Sequence, residues 1–292
     1  MAPEEHLDTG QPDELAVRPP LVHDDGHPRE EALEKSFDRT VVEGRPRLHR
    51  ASLDILATGA TAGMEVAFGV LALLVVFHQT GNSLLAGFAF SIGFIALLLG
   101  HSELFTEGFL VPVTVVAAGE GTVRSLLRLW LGTLVGNLAG GALTAWIIEV
   151  GFPELHGTAI TVADHYILAG ETARSFSLGL LGGGAITLLT RMHNGTDSDQ
   201  AKLVASIAIG FLLAGTRLFH SVLDSLLAFV ALDTGHATFG YLAWGEWFGW
   251  IVLANVTGGL ALTTLLRLVR SRQRILDHRS AVAVADAERP GD

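Results

Sequence analysis

Six apolar runs long enough to cross a bilayer dominate the sequence, at about residues 51–77, 84–117, 125–150, 172–190, 203–232 and 245–268. Each is roughly 18 residues or longer, the length that one crossing of the hydrocarbon core requires. Lipid offers no hydrogen bonds, so every backbone N–H and C=O in such a run must be paired within the protein, and a helix does that locally. With 49% hydrophobic and only 17% charged residues, the composition fits no soluble domain of 292 residues and predicts an all-α, six-span membrane protein. The absence of cysteine excludes a disulfide framework and thiolate chemistry.

Charge sets the expected topology. Residues 1–44 hold twelve acidic and four basic residues, so most of the net charge of −11 precedes the first run and the membrane body is nearly neutral. Met1–Pro28 is too polar to bury a core and is expected to be disordered. Leu33, Phe37 and Val41 recur every fourth residue, which predicts one face of a short amphipathic helix between Glu30 and Val41; a partly ordered linker fits the same pattern. Basic residues gather before the first run (Arg45, Arg47, Arg50) and after the second (Arg124, Arg128), fourth (Arg191, Lys202) and sixth (Arg267, Arg270, Arg272, Arg274), whereas 78–83, 151–171 and 233–244 contain none. The positive-inside rule then predicts a multi-pass inner (plasma) membrane protein with both termini cytoplasmic, and interfacial Trp244, Trp247 and Trp250 at the outer end of the last span. The expected divisions are a tail at 1–44, a channel domain at 45–272 and a second cytoplasmic tail at 273–292.

The second and fifth runs are too long for one simple helix, and polar residues interrupt both in matching ways. Gly100-His-Ser-Glu-Leu104-Phe105-Thr106 answers Gly215-Thr-Arg-Leu218-Phe219-His220. A second echo follows, Asn137-Leu-Ala-Gly140-Gly141 in the third run and Asn255-Val-Thr-Gly258-Gly259 in the sixth. Two three-span halves of inverted topology are the natural reading, with the broken second and fifth helices face to face at the midplane. Unwound backbone at membrane depth is tolerated where it lines a polar pathway, so the interruptions mark one. Asn137 and Asn255 are expected to hydrogen-bond that open backbone.

ELFTEGFLVPV (103–113), LFHSVLDSLLAF (218–229) and the GNLAGG and ANVTGG helices resemble the formate/nitrite transporters over roughly residues 48–270. That resemblance implies an aquaporin-like fold, a pore in each protomer, a homopentamer, and small monovalent anions of weak acids (formate, nitrite or similar) as substrates. It also implies that Thr106 and His220 are the loop threonine and central histidine, with Leu104, Phe105 and Phe219 as apolar constrictions around them. The sequence departs from the family at the site: Phe219 stands where an acidic residue is usual, Asp224 where Asn is, and Arg217 is added.

An anion crossing an apolar constriction bears a desolvation cost that its conjugate acid largely avoids. Histidine is suited to proton exchange near neutral pH. Together these predict a channel or proton-coupled transporter in which the substrate is protonated near His220. Glu103, Glu107, Arg217 and Asp224 each need a partner at membrane depth, which predicts charge clamps or gates of Arg217 with Glu103, Glu107 or Asp224. Glu65 has no assigned partner. Alternatives are a pore for neutral solutes or a non-conducting family member. An enzyme with a metal at His101, Glu103, Glu107 and His220 matches no sharp ligand motif, so no metal, cofactor or nucleic-acid partner is expected.

Overall fold

The computed structural model describes residues 28–287, with side chains over 35–280, and all regular structure there is helical. The expectation for Met1–Pro28 lies outside the described residues except for Pro28, which opens α1 (Pro28–His49). That helix is longer than the Glu30–Val41 segment expected, and the side chain of Leu33 is outside the description. Phe37 and Val41 are buried against Ala118, with Ile275 beside them.

The apolar runs become α2 (Ser52–Thr80), α3 (Ser83–Gly100) with α4 (Val111–Ala118), α5 (Val123–Gly151), α7 (Ala173–Asn194), α8 (Asp199–Gly210) with α9 (Ser221–Asp233), and α10 (Tyr241–Gly258) continuing into α11 (Leu265–Arg270). Among the described residues, four helices are individually long and apolar enough to cross a membrane: Ser52–Thr80, Ser83–Gly100, Val123–Gly151 and Tyr241–Arg270. The second and fifth runs break. A 3-10 turn (Phe105–Phe109) separates α3 from α4, and a π-helical turn (Phe211–Gly215) leads into an irregular stretch before α9. Two elements had no counterpart in the sequence reading, α6 (His156–Ile167) between α5 and α7, and α12 (Arg272–Ala287) at the C-terminal end.

Each break begins with a residue in the left-handed region, His101 at φ 51° and Arg217 at φ 54°, the two non-glycine residues with positive φ among those described. A β-carbon there crowds the following carbonyl, so both turns are strained at the same point of the repeat. Small residues then bring backbones together. A Cβ at Gly63 would meet the carbonyl oxygen of Asn137, and one at Gly183 that of Asn255, so α2 lies directly on α5, and α7 on α10, in the same manner. The all-α class holds and the two halves repeat in their packing.

Helices α1 and α12 join the body at one end. Arg267 donates to Ser36 O (3.1 Å), Ser36 Oγ (3.0 Å) and Thr40 Oγ1 (2.9 Å), Arg274 pairs with Asp38 at 2.7 Å, and Arg39 with Asp197 at 2.7 Å. Helical structure therefore runs past both expected divisions, at 44 and at 272. Trp247 is 1% exposed, and the indole N–H groups of Trp244 and Trp250 donate to Ser225 Oγ (3.0 Å) and Ser175 Oγ (3.2 Å), so the three rings also pack within the bundle.

Candidate functional site

One asparagine organises each break, and it does so twice over with the same bonds. Asn137 Oδ1 accepts the N–H of Phe105 at 2.8 Å, while its Nδ2 donates to Gly59 O (2.8 Å) and Glu103 O (3.0 Å). Asn255 Oδ1 accepts the N–H of Ser221 at 2.8 Å, while its Nδ2 donates to Gly179 O (2.8 Å) and Phe219 O (3.0 Å). A carboxamide has one acceptor and two donor hydrogens on its ends, so a single side chain pairs two backbone groups that the break leaves open and ties them to a carbonyl of the neighbouring helix, Gly59 in α2 or Gly179 in α7.

A carboxylate adds a further cap to each break. Glu107 Oε2 accepts the N–H of Leu104 at 3.2 Å, and Asp224 Oδ2 that of His220 at 2.8 Å. Arg217 reaches none of the acids expected to hold it. Its guanidinium lies 5.5 Å from the ring centroid of Phe77, on a different course from Asp224. Glu103 pairs instead with Arg50 at 2.8 Å, in the α1–α2 connection, and with Arg47 at 3.3 Å, in the last turn of α1. In place of the predicted Arg217 clamps, Glu103 is held by two arginines of the basic cluster that precedes the first run. Glu65, left without a role, accepts a hydrogen bond from Ser102 at the first break.

The two breaks meet at Thr106 and His220, whose Oγ1 and Nε2 are 2.9 Å apart and fully buried. His220 is also the N-cap of α9, with Nδ1 accepting the N–H of Leu223 at 3.1 Å. A nitrogen that accepts carries no proton, so the neutral ring has its hydrogen on Nε2 and donates it to Thr106 Oγ1. The threonine hydrogen is thereby left free to point elsewhere.

Apolar side chains flank this pair in sequence. Leu104, Phe105 and Phe219 are all buried, and Phe219 stacks edge-on with Tyr166 (5.1 Å between centroids) and His165 (6.0 Å), both from α6. Beyond Phe219 opens a cavity of about 490 Å³ that His165, Arg174 and Leu178 also line. Burial, then the nearby Arg217 and Arg174 charges, push the His165 imidazole below its ordinary range; it sits in the connection between two runs. A second cavity, of about 580 Å³, is lined by Glu103 and Glu107 together with Arg39, Arg47, Arg50 and His101. Thr106 and His220 thus lie between residues that border two open chambers. No group of three or more His, Asp or Glu side chains is placed to hold a metal ion among the described residues.

Two chambers, a buried polar contact flanked by residues that border them, and a helical body with breaks stitched to the bundle by repeated asparagines describe a channel-type transport protein of the membrane. The chain belongs to the formate/nitrite transporter family, whose model matches residues 34–269. It is 25% identical over 256 residues to the inner membrane protein YfdC of Escherichia coli (strain K12), covering 85% of this chain and 81% of that one. A formate-nitrite transporter of Plasmodium ovale is 30% identical over 135 residues, which is 42% of this chain and 43% of that protein. Among solved structures, an FNT family ion channel shares the fold at a TM-score of 0.70 and 20% identity, over 79% of this chain and 96% of the other. A pentameric formate channel with formate bound shares it at 0.61 and 21% identity, over 72% and 93%. The family is one of transporters and not of enzymes, which removes the metal-enzyme alternative.

Proposed function

We propose that this protein is a six-span channel or proton-coupled transporter for small monovalent anions of weak acids, built from two halves of inverted topology. Each protomer of a homopentamer would hold one pore. The inner membrane location of the YfdC relative and the pentameric state of the formate channel neighbour support the setting. Basic residues at the α1 end favour a cytoplasmic position for both termini, which makes the chamber beyond Glu103 the inner one and the chamber above Phe219 the outer one.

The observation that carries the reading is the 2.9 Å contact of Thr106 with His220 between the two chambers. With Nε2–H spent on Thr106 Oγ1, the threonine O–H is free to donate to an anion that reaches the pair. An anion cannot pass Leu104, Phe105 or Phe219 cheaply while charged, so it takes a proton close to His220 and crosses as the neutral acid. Glu103 does not oppose this, because Arg47 and Arg50 neutralise it where it lines the inner chamber.

Uptake of formate and of nitrite into proteoliposomes at two pH values tests the reading. We expect uptake to rise as the pH on the side of entry falls. Replacing His220 by Phe removes the partner of a buried hydroxyl and the cap of α9, and is expected to lower uptake by about tenfold or more at unchanged pentamer yield, in line with losing a buried hydrogen bond. Intact uptake in that variant would remove His220 from the mechanism.

A further inference from the structure

We propose that the side chain which gains and loses the transported proton is Asp224, and that His220 stays neutral throughout as a hydrogen-bonding ring. The proposal rests on the anion and proton reading above and names the proton-carrying group within it.

Asp224 is 0% exposed. Its Oδ2 accepts the N–H of His220, and its Oδ1 has no hydrogen-bond partner. Ser221, three residues earlier and so on the same face of α9, is also 0% exposed with an unpartnered hydroxyl oxygen. Buried polar atoms are nearly always paired, and two unpaired ones in the first turn of one helix call for a reason. The other acids at the breaks have theirs. Glu103 is held by two arginines, Glu65 by Ser102, and Glu107 caps Leu104 while opening onto the inner chamber.

His220 is built for the opposite task. Both ring nitrogens are engaged, Nδ1 with the N–H of Leu223 and Nε2 with Thr106. A second ring proton would set N–H against N–H at Nδ1 and uncap α9. Oδ1 of Asp224 takes or gives a proton with every existing bond intact, because the cap to His220 uses the other oxygen. The titratable groups beside this cluster are Tyr166 from α6, on which both Asp224 and Arg217 bear, and His220 on its own turn. No arginine or lysine bonds to Asp224 among the described residues.

The step balances simply. The O–H bond of the Asp224 carboxyl breaks as an O–H bond forms on the anion, which leaves a carboxylate and the neutral acid. A hydronium ion from the side of entry restores the carboxyl, so one anion and one proton cross together.

The test uses the full-length protein in liposomes with formate as the probe and a pH dye trapped inside. Asp224→Asn keeps an acceptor for the His220 N–H and therefore keeps the cap. We expect it to assemble normally, to lose the pH dependence of formate flux, and to carry protons at background level, with Asp224→Glu restoring part of the coupling. A merely structural Asp224 predicts that Asn preserves both coupling and pH profile, and that result overturns the proposal while leaving the anion reading standing. Formate flux without protons in the wild type removes the anion and proton reading itself, and this proposal with it. Infrared difference spectra of the wild type give a decision that needs no variant: a carboxyl C=O band that changes with pH and formate supports Asp224, and imidazole bands changing in its place overturn it.

Discussion

His101 and Arg217 hold a backbone conformation that glycine adopts without strain and other L-residues reach at roughly 1–2 kcal/mol. His101 is exposed beside the chamber that Glu103 lines and makes no side-chain hydrogen bond among the described residues. His101→Gly should therefore raise the thermal unfolding midpoint in detergent, by the equivalent of about 1 kcal/mol after the extra chain entropy of glycine is subtracted. Arg217→Gly gains less, because it also gives up the contact with Phe77. At this scale the sequence was partly legible. Thr106, His220 and the two asparagines stood out because polar residues inside apolar runs are rare, whereas the partner of Arg217 was misjudged. Which acid an arginine meets depends on the side of the break from which its side chain leaves, and a left-handed residue turns that side around without leaving a trace in composition.

Helix against helix, the close approaches at Gly63 and Gly183 are what let an asparagine on one element reach the carbonyls of another. Adding a methyl group at either position drives backbone against backbone and should destabilise by about 1–3 kcal/mol, seen as matched drops in unfolding midpoint for Gly63→Ala and Gly183→Ala. Gly157, with nothing within 4 Å of a Cβ, is the control and should be nearly neutral as Ala. Helix locations were readable because an apolar run of bilayer length has few other ways to pair its backbone. Helix α6 was not readable. The segment 151–171 carries Pro153, Gly157 and Gly170 among polar residues, and its burial arises from packing on α9, a contact made with residues some sixty positions away. With α6 went His165 and Tyr166, the two rings that brace Phe219.

Across the whole molecule, the pair of arginines on Glu103 ties the segment just before the first span to the loop that carries Thr106. The contact is partly buried, with Glu103 at 8% exposure, so salt screens it less than the open Arg39–Asp197 pair. Glu103→Gln is expected to loosen this attachment by about 1 kcal/mol, measured as faster hydrogen exchange of the α1 backbone between residues 36 and 48. Formate flux read in the same preparations would report whether a loosened α1 widens or narrows the inner chamber.

The repeated asparagine has a practical consequence for anyone redesigning this pore. One carboxamide in each half carries three bonds, so positions 137 and 255 tolerate no ordinary replacement, while the side chains of Phe219 and His165 border a chamber without holding the backbone together. A library meant to shift selectivity belongs at those outer positions, with the two amides left as the fixed frame in which every member of the library must still assemble.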